Sequence, residues 1–207
     1  MDKNLTRLLK WSIENQTKGD NDESRPATTL TPEAIASLFS GPSEPELMKA
    51  AMEAIQDPEV TLENKLIAFD NFEQLIESLD NANNITNLSL WTPLLDCLDH
   101  EHADLRHMAA WCVGTAVQNN VPTQERLLAM GGVPRLVALA TRSDEEEAVR
   151  RKAIYAISSA VRNYQPAMDV CTDELEKQGY SGGKIDSQDM DAVDEVMNFL
   201  KAKVTKA

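Results

Sequence analysis

The sequence predicts an all-α fold of stacked helical units, and two observations carry that prediction. Apolar residues recur at three- and four-residue spacing, as in Phe69, Phe72, Leu75, Ile76 and Leu79 of "AFDNFEQLIESLD" (68–80), and no strand is needed to explain the pattern. The chain also repeats itself. "LENKLIAFDNF" (62–72), "LRHMAAWCVGT" (105–115) and "VRRKAIYAISS" (149–159) align, with Leu62, Leu105 and Val149 lying 43 and 44 residues apart. Small or apolar residues fall together at Leu66/Ala109/Ala153 and Phe69/Cys112/Ala156. "LWTPLLDCL" (90–98) aligns in the same way with "GGVPRLVAL" (131–139), matching Pro93 to Pro134, Leu95 to Leu136 and Leu98 to Leu139.

A unit of roughly 40–47 residues, with a short helix, a proline-opened helix and a long helix, is the armadillo or HEAT pattern, in which stacked units share one continuous core. The expected fold is therefore an all-α, armadillo-like α-solenoid with helical caps. Residues 1–16 are expected to form a short N-terminal amphipathic helix, with Leu5, Leu8, Leu9 and Ile13 on one stripe. Residues 17–46 are polar and contain Gly and Pro, which predicts a flexible linker with a short helix, started at Thr31-Pro32 and broken at "SGPSEPE" (40–46).

The repeat domain is expected over 47–207. It opens with a helix around Leu47, Met48, Ala51, Met52 and Ile55, stopped by Asp57-Pro58. The long helix that follows is expected to end in the polar run Asp80, Asn81, Ala82, Asn83, Asn84. Ser143 and Glu146 are spaced as a capping box before the third long helix. A last helix at roughly 188–203, with Met190, Val193, Met197 and Leu200 on one face, closes the stack as a cap.

Composition narrows the function. Of 207 residues, 34 are acidic and 20 basic, a formal charge of -14 that repels phosphate backbones and argues against nucleic acid as a partner. The N-terminus lacks the apolar run of a secretory signal, and nothing approaches a membrane span, so a cytoplasmic protein with no membrane partner is expected. Cys97, Cys112 and Cys171 sit in apolar segments without a paired pattern and read as reduced, buried thiols.

Neither motif that resembles reactive chemistry is complete. "DCLDHEHADLRH" (96–107) is rich in potential ligands, but it is not HExxH, and His100 and His102 would point to different helix faces; the repeat also demands a turn there. "GYSGGK" (179–184) is one residue short of a phosphate loop, and Ile185 replaces the Ser or Thr that would hold magnesium. No catalytic residue, cofactor or metal is expected, and the protein is read as a non-enzyme.

The helix ends carry a closer resemblance. "LIAFDNFEQLIESLDNANNI", "GTAVQNN" and "AIYAISSAVRN", preceded by "LLKWSIEN", resemble the armadillo-type nucleotide exchange factors of heat-shock protein 70 chaperones, and among them the fungal cytosolic Fes-type factors. The resemblance covers residues 1–17 and 47–165. It implies a helical clasp that binds the chaperone's ATPase domain, disturbs its lobes and lets ADP leave, so that clients are released. It also implies a partner-binding face made of Asp80, Asn81, Ala82, Asn83, Asn84, Gln118, Asn119, Asn120, Arg162 and Asn163. Better-studied animal and yeast members carry further repeats after the segment matching "AIYAISSAVRN", and contacts made by those repeats cannot be carried over.

Two alternatives stay open at this point. Amides at three helix ends are equally what a repeated structural stop requires. Armadillo scaffolds and adaptors that bind extended peptides resemble this chain in architecture, but they pair Trp with Asn one turn on, where this sequence has Trp111/Thr115 and Tyr155/Ser159. Trp111 and Tyr155 are contact aromatics or ordinary packing. At the N-terminus, Leu5, Leu8, Leu9, Trp11 and Ile13, flanked by Arg7 and Lys10, also look like a chaperone client peptide, which would place this tethered segment in the chaperone's client-binding domain.

Overall fold

The computed structural model describes residues 41–204, of which 44–204 belong to a single packed unit. Its regular structure is helical throughout the described residues: α1 (Glu44–Gln56), α2 (Leu62–Ile76), α3 (Leu79–Asn87), α4 (Trp91–Asp96) continued by a 3-10 turn (Cys97–Asp99), α5 (Ala103–Val117), α6 (Val121–Ala129), α7 (Gly132–Thr141), α8 (Glu147–Val161), α9 (Gln165–Glu176) and α10 (Met190–Val204).

Local chemistry sets most of the boundaries. Thr61 caps α2 by accepting the Asn64 N–H at 3.4 Å, and α6 and α9 each carry proline in their first turn, where no intrahelical donor is lost. Gly131, at φ 70°, takes the left-handed turn that separates α6 from α7. Two predicted boundaries differ. Ser143 does not cap α8; the helix starts at Glu147 with Glu146 as its cap residue, because Glu145 turns inward to a buried ion pair. The long helix does not run through Leu79 either. It stops at Ile76, and Leu79 is 57% exposed at the start of α3.

The helices stack in three rows. The long helices α2, α5 and α8 lie side by side, α3, α6 and α9 form a second row, and α1, α4 with its 3-10 turn, α7 and α10 form the third. Each row presents an apolar stripe to the others, and Trp91, Phe69, Phe72, Leu94, Leu105 and Leu127 are all fully buried between them. Burial of each such side chain contributes about 1.5–3 kcal/mol, so truncating Phe72 to Ala would cost about 3–5 kcal/mol.

The last helix is present at Met190–Val204, with Val193, Met197 and Leu200 buried as predicted, Met190 only half-buried, and Val196 and Val204 added to the buried face. It is fastened by Arg150, which is 3% exposed and donates to the carbonyls of Ala140 on α7 (3.1 Å) and Lys203 on α10 (2.8 Å). Orphan carbonyls at two helix ends are thereby satisfied by one guanidinium. The three cysteines are unpaired and buried; burial raises the Cys97 thiol to about 11 and the Cys171 thiol to about 12, so both are neutral packing groups at physiological pH.

Candidate functional site

Across the row of long helices runs a strip of polar and aromatic side chains that the core does not use. Trp111 on α5 and Tyr155 on α8 are half-buried, and the Lys152 ammonium lies between them, 3.5 Å from the Trp111 ring centre and 5.6 Å from that of Tyr155. His107 meets the Trp111 ring edge-on at 6.3 Å. On the α2 side, the Thr115 hydroxyl donates to the buried Glu73 carboxylate at 2.7 Å, and on the α8 side the Tyr155 hydroxyl donates to Gln118 Oε1 at 3.3 Å.

The strip depends on a close helix crossing. Tyr155 lies flat over Gly114, where a Cβ would come 2.5 Å from its Cε1 and 3.1 Å from the Ala156 Cα. Only glycine lets the ring sit there. Burial lowers the Lys152 pKa, with the Glu73 carboxylate acting in the opposite direction, and burial with the neighbouring Lys152 charge lowers that of His107. The result is a partly desolvated cation held on two aromatic faces, an arrangement in which each cation–π contact is worth roughly 0.5–2 kcal/mol.

The repeated amides have a conformational cause. Gln118 and Arg162 cap the ends of α5 and α8, Asn119 and Asn163 follow in the left-handed region at φ 52° and 58°, and Asn120 and Tyr164 then cap α6 and α9 in matching extended conformations. Asparagine tolerates the left-handed region better than other residues with a side chain, so its repetition marks a repeated corner. Gln118, Asn119 and Asn163 reach the surface, but Asn120 is 4% exposed and directed at the Ala116 carbonyl.

Asp80 to Asn84 lie in a different row. Instead of ending the long helix they open α3, which packs beside α6. Asn81 is buried and donates to Glu44 Oε2 at 2.8 Å and to the Leu75 carbonyl at 2.9 Å, locking α1 against the α2–α3 turn. Ala82 is 2% exposed, so a substitution to Arg there tests packing as well as contact. Asp80 is exposed and Asn84 half-buried, accepting from Asn87 at 3.2 Å. Asn83 lines an open groove of about 410 Å³ with Thr86, Asn87, Pro122 and Arg126, and its buried Oδ1 has no hydrogen-bond partner.

Arg162 is turned toward the cap. It donates to Ser158 Oγ at 2.9 Å and pairs with Asp194 on α10. The structure thus places Trp111 and Tyr155 on either side of Lys152, with Tyr155 bonded to Gln118, leaves Arg162 two turns further along α8, and puts the Asp80–Asn84 cluster on the neighbouring row. Glu73, His107, Thr115 and Lys152 belong to the strip; the sequence pattern marks Thr115 only as standing where peptide-binding scaffolds have Asn, and marks none of the other three as partner-binding. For Lys152 a signal existed: it precedes Tyr155 by three residues, hence on the same helix face.

The ligand-rich segment 96–107 forms the end of α4, the 3-10 turn and the first turn of α5, with Arg106 donating to the carbonyls of His100 (2.6 Å) and Glu101 (2.8 Å). The "GYSGGK" segment is an irregular connection to α10, pinned where Gln165 donates to the Ile185 carbonyl at 2.8 Å and accepts the Ser187 N–H at 2.9 Å. The N-terminal stripe Leu5, Leu8, Leu9, Trp11 and Ile13 lies outside the described residues.

Comparison with known proteins gives the family of the chain. The family profile described as nucleotide exchange factor Fes1 matches residues 5–85, and that of the SIL1/FES1/HPBP1 C-terminal domain matches residues 81–172. An Hsp70 nucleotide exchange factor FES1 from Gibberella zeae is 64% identical over 211 residues, covering 100% of this chain and 99% of that protein. Its counterpart from Neurospora crassa is 57% identical over 246 residues, with 100% of both chains covered. The FES1 protein of Eremothecium gossypii is longer, and 46% identity over 171 residues covers 82% of this chain but 59% of that one. Matches of this extent and identity, spanning the repeats and the segment before them, establish that the chain belongs to the Fes1 family of Hsp70 nucleotide exchange factors.

Proposed function

We propose that this protein binds the ATPase domain of a cytosolic heat-shock protein 70 through the face built on α2, α5 and α8, and that this contact speeds ADP release and so client release. The observation that carries the reading is the strip itself. Lys152 on Trp111 and Tyr155, with Glu73, Thr115 and Gln118 around it, offers rigid aromatic area and paired charge at the surface of a row whose other side is core. The orphan Asn83 acceptor supports a second contact on the α3 side, since a buried carbonyl without a donor is completed when a partner supplies one. The family consists of exchange factors, not enzymes, and the chemistry required of this chain is preferential binding alone.

Preferential binding is sufficient as a mechanism. An exchange factor that binds the opened, nucleotide-free ATPase domain better than the closed ADP-bound one shifts the population toward opening. Linkage then requires nucleotide to weaken its binding by the same factor. A segment such as Arg7-Leu8-Leu9-Lys10-Trp11, tethered by the polar linker, would occupy the client site at raised effective concentration while the repeats hold the ATPase domain.

Stopped-flow release of a fluorescent ADP from a cytosolic heat-shock protein 70, with and without this protein, tests the reading. Acceleration that is lost in Lys152→Glu with an unchanged circular dichroism spectrum is the expected result. Full acceleration by that variant would assign the contact to another face.

A further inference from the structure

One aromatic ring on the strip serves two basic side chains. Trp111 carries the Lys152 ammonium over its face, 3.5 Å from the ring centre, and meets the half-buried His107 edge-on with ring centres 6.3 Å apart. Lys152 reaches the ring from α8, while His107 stands one turn before Trp111 on α5. Burial and the Lys152 charge oppose a proton on His107, the Ala148 backbone and Asp104 favour it, and the first two prevail. Other charges nearby act elsewhere. Glu73 on α2 faces Lys152, Lys65 on α2 acts on Cys97 and His100, and Asp144, Glu145 and Glu146 ahead of α8 act on Arg106.

The geometry points to a proton-operated pair: a proton taken up at His107 puts a second cation on the Trp111 ring, drives the Lys152 ammonium off it, and so weakens the chaperone contact as pH falls. This regulation rests on the reading of the α2, α5 and α8 face given above. Lys152 is the member that moves. Its ammonium sits on a flexible four-carbon stem, is held by aromatic faces and not by an ion pair among the described residues, and has its own charge opposed by burial, whereas the short His107 side chain is fixed by the α5 backbone. Once the ammonium turns outward, Trp111 and Tyr155 lose the cation they share. Linkage sets the size: if Lys152 lowers the proton affinity of His107 by about half a pH unit, as unit charges roughly 6 Å apart do in water, a proton on His107 weakens the Lys152–Trp111 contact by the same factor, about threefold.

The test uses the full chain. An NMR titration follows the His107 imidazole, assigned among the three histidines with His107→Gln, and the Lys152 ε-methylene, whose resonance is displaced by the Trp111 ring beside it. The ε-methylene should lose that displacement with the same midpoint as His107 and keep it through the same range in His107→Gln, and Lys152→Met should raise the His107 midpoint by about half a unit. An ε-methylene indifferent to His107 protonation, or an unmoved midpoint in Lys152→Met, overturns the inference. Acceleration of ADP release, taken relative to the chaperone alone at each pH, should fall about threefold from about pH 7.5 to about pH 5.5 in the unaltered protein and stay level in His107→Gln, whatever level that variant starts from. An equal fall in both also overturns the inference. Acceleration that survives Lys152→Glu beside a coupled titration would refute the reading of the face, and the regulation with it, while supporting the pair itself.

Discussion

Removing Arg106 should be among the most damaging single changes available outside the apolar core. Its guanidinium makes a two-pronged contact with Glu145, Nε to Oε2 at 2.6 Å and Nη2 to Oε1 at 2.7 Å, while Nη1 donates to the carbonyls of His100 and Glu101. The Glu145 side chain is 1% exposed, and Arg142, a longer single contact at 3.4 Å from a side chain 39% exposed, makes up only part of the lost two-pronged partner. Breaking a buried pair from one side leaves an uncompensated charge, which costs about 3–5 kcal/mol. Against a total stability of about 5–15 kcal/mol for a domain, that is a large fraction.

The pH dependence supplies an independent check. Burial pushes the Glu145 carboxyl up, but the Arg106 hydrogen bonds, the Glu146 N–H and the Arg142 charge together hold it below the ordinary carboxylate range. A depressed folded-state pKa means stability that is present at neutral pH and lost as pH falls through that folded value. In Arg106→Met, burial acts with its chief opponent gone, so this contribution to acid destabilisation should vanish. Urea unfolding followed by circular dichroism at pH 7 and at stepwise lower pH would measure both effects. Arg106→Met/Glu145→Gln should recover about 1–3 kcal/mol relative to Arg106→Met, as expected of coupled neighbours. A single-variant loss under about 1 kcal/mol, or no recovery in the double variant, would refute the reasoning.

Gly114→Ala should gain about 1 kcal/mol of helix propensity but lose about 1–3 kcal/mol to overpacking against Tyr155 and Ala156; a net loss in chemical unfolding, with reduced ADP release from the chaperone, is expected, and a stabilised, fully active variant would contradict the close crossing. Excess ATP should dissociate the complex with the chaperone in a surface-binding experiment, and a complex lifetime indifferent to nucleotide would be incompatible with linkage. Changing Leu8, Leu9 and Trp11 to Ala should leave ADP release nearly intact and slow the freeing of a bound misfolded client; equal loss of both, or a lower melting temperature, would make that segment part of the fold.

The parts of this molecule that could be read in the sequence are those set by local periodicity. The long helices and their repeat follow from apolar spacing, which is why Phe69, Cys112 and Ala156 fall in the same column and are all buried. The cap helix was legible for the same reason. The break between Ile76 and Leu79 was not, because "LIESLDN" contains no Gly or Pro and keeps its apolar spacing through the kink; Asn81 enforces the turn by bonding back to the Leu75 carbonyl. The Asn119 and Asn163 corners were visible as amides, but their left-handed backbone was not. Contacts between repeats lay beyond reach altogether, since nothing in a local window ties Lys152 to Trp111 or Arg106 to Glu145.

The Arg150 guanidinium holds the last helix of the stack against peeling. Because one guanidinium clasps the final carbonyls of both α7 and α10, the terminal helix cannot peel away as a free end would; it must first strand two acceptors and a nearly buried charge. The stack therefore behaves less like a zipper that frays from its last tooth than like a spring with a latched end. Load applied by a moving partner at α8 would be shared with α7 and α10 before any single interface yields.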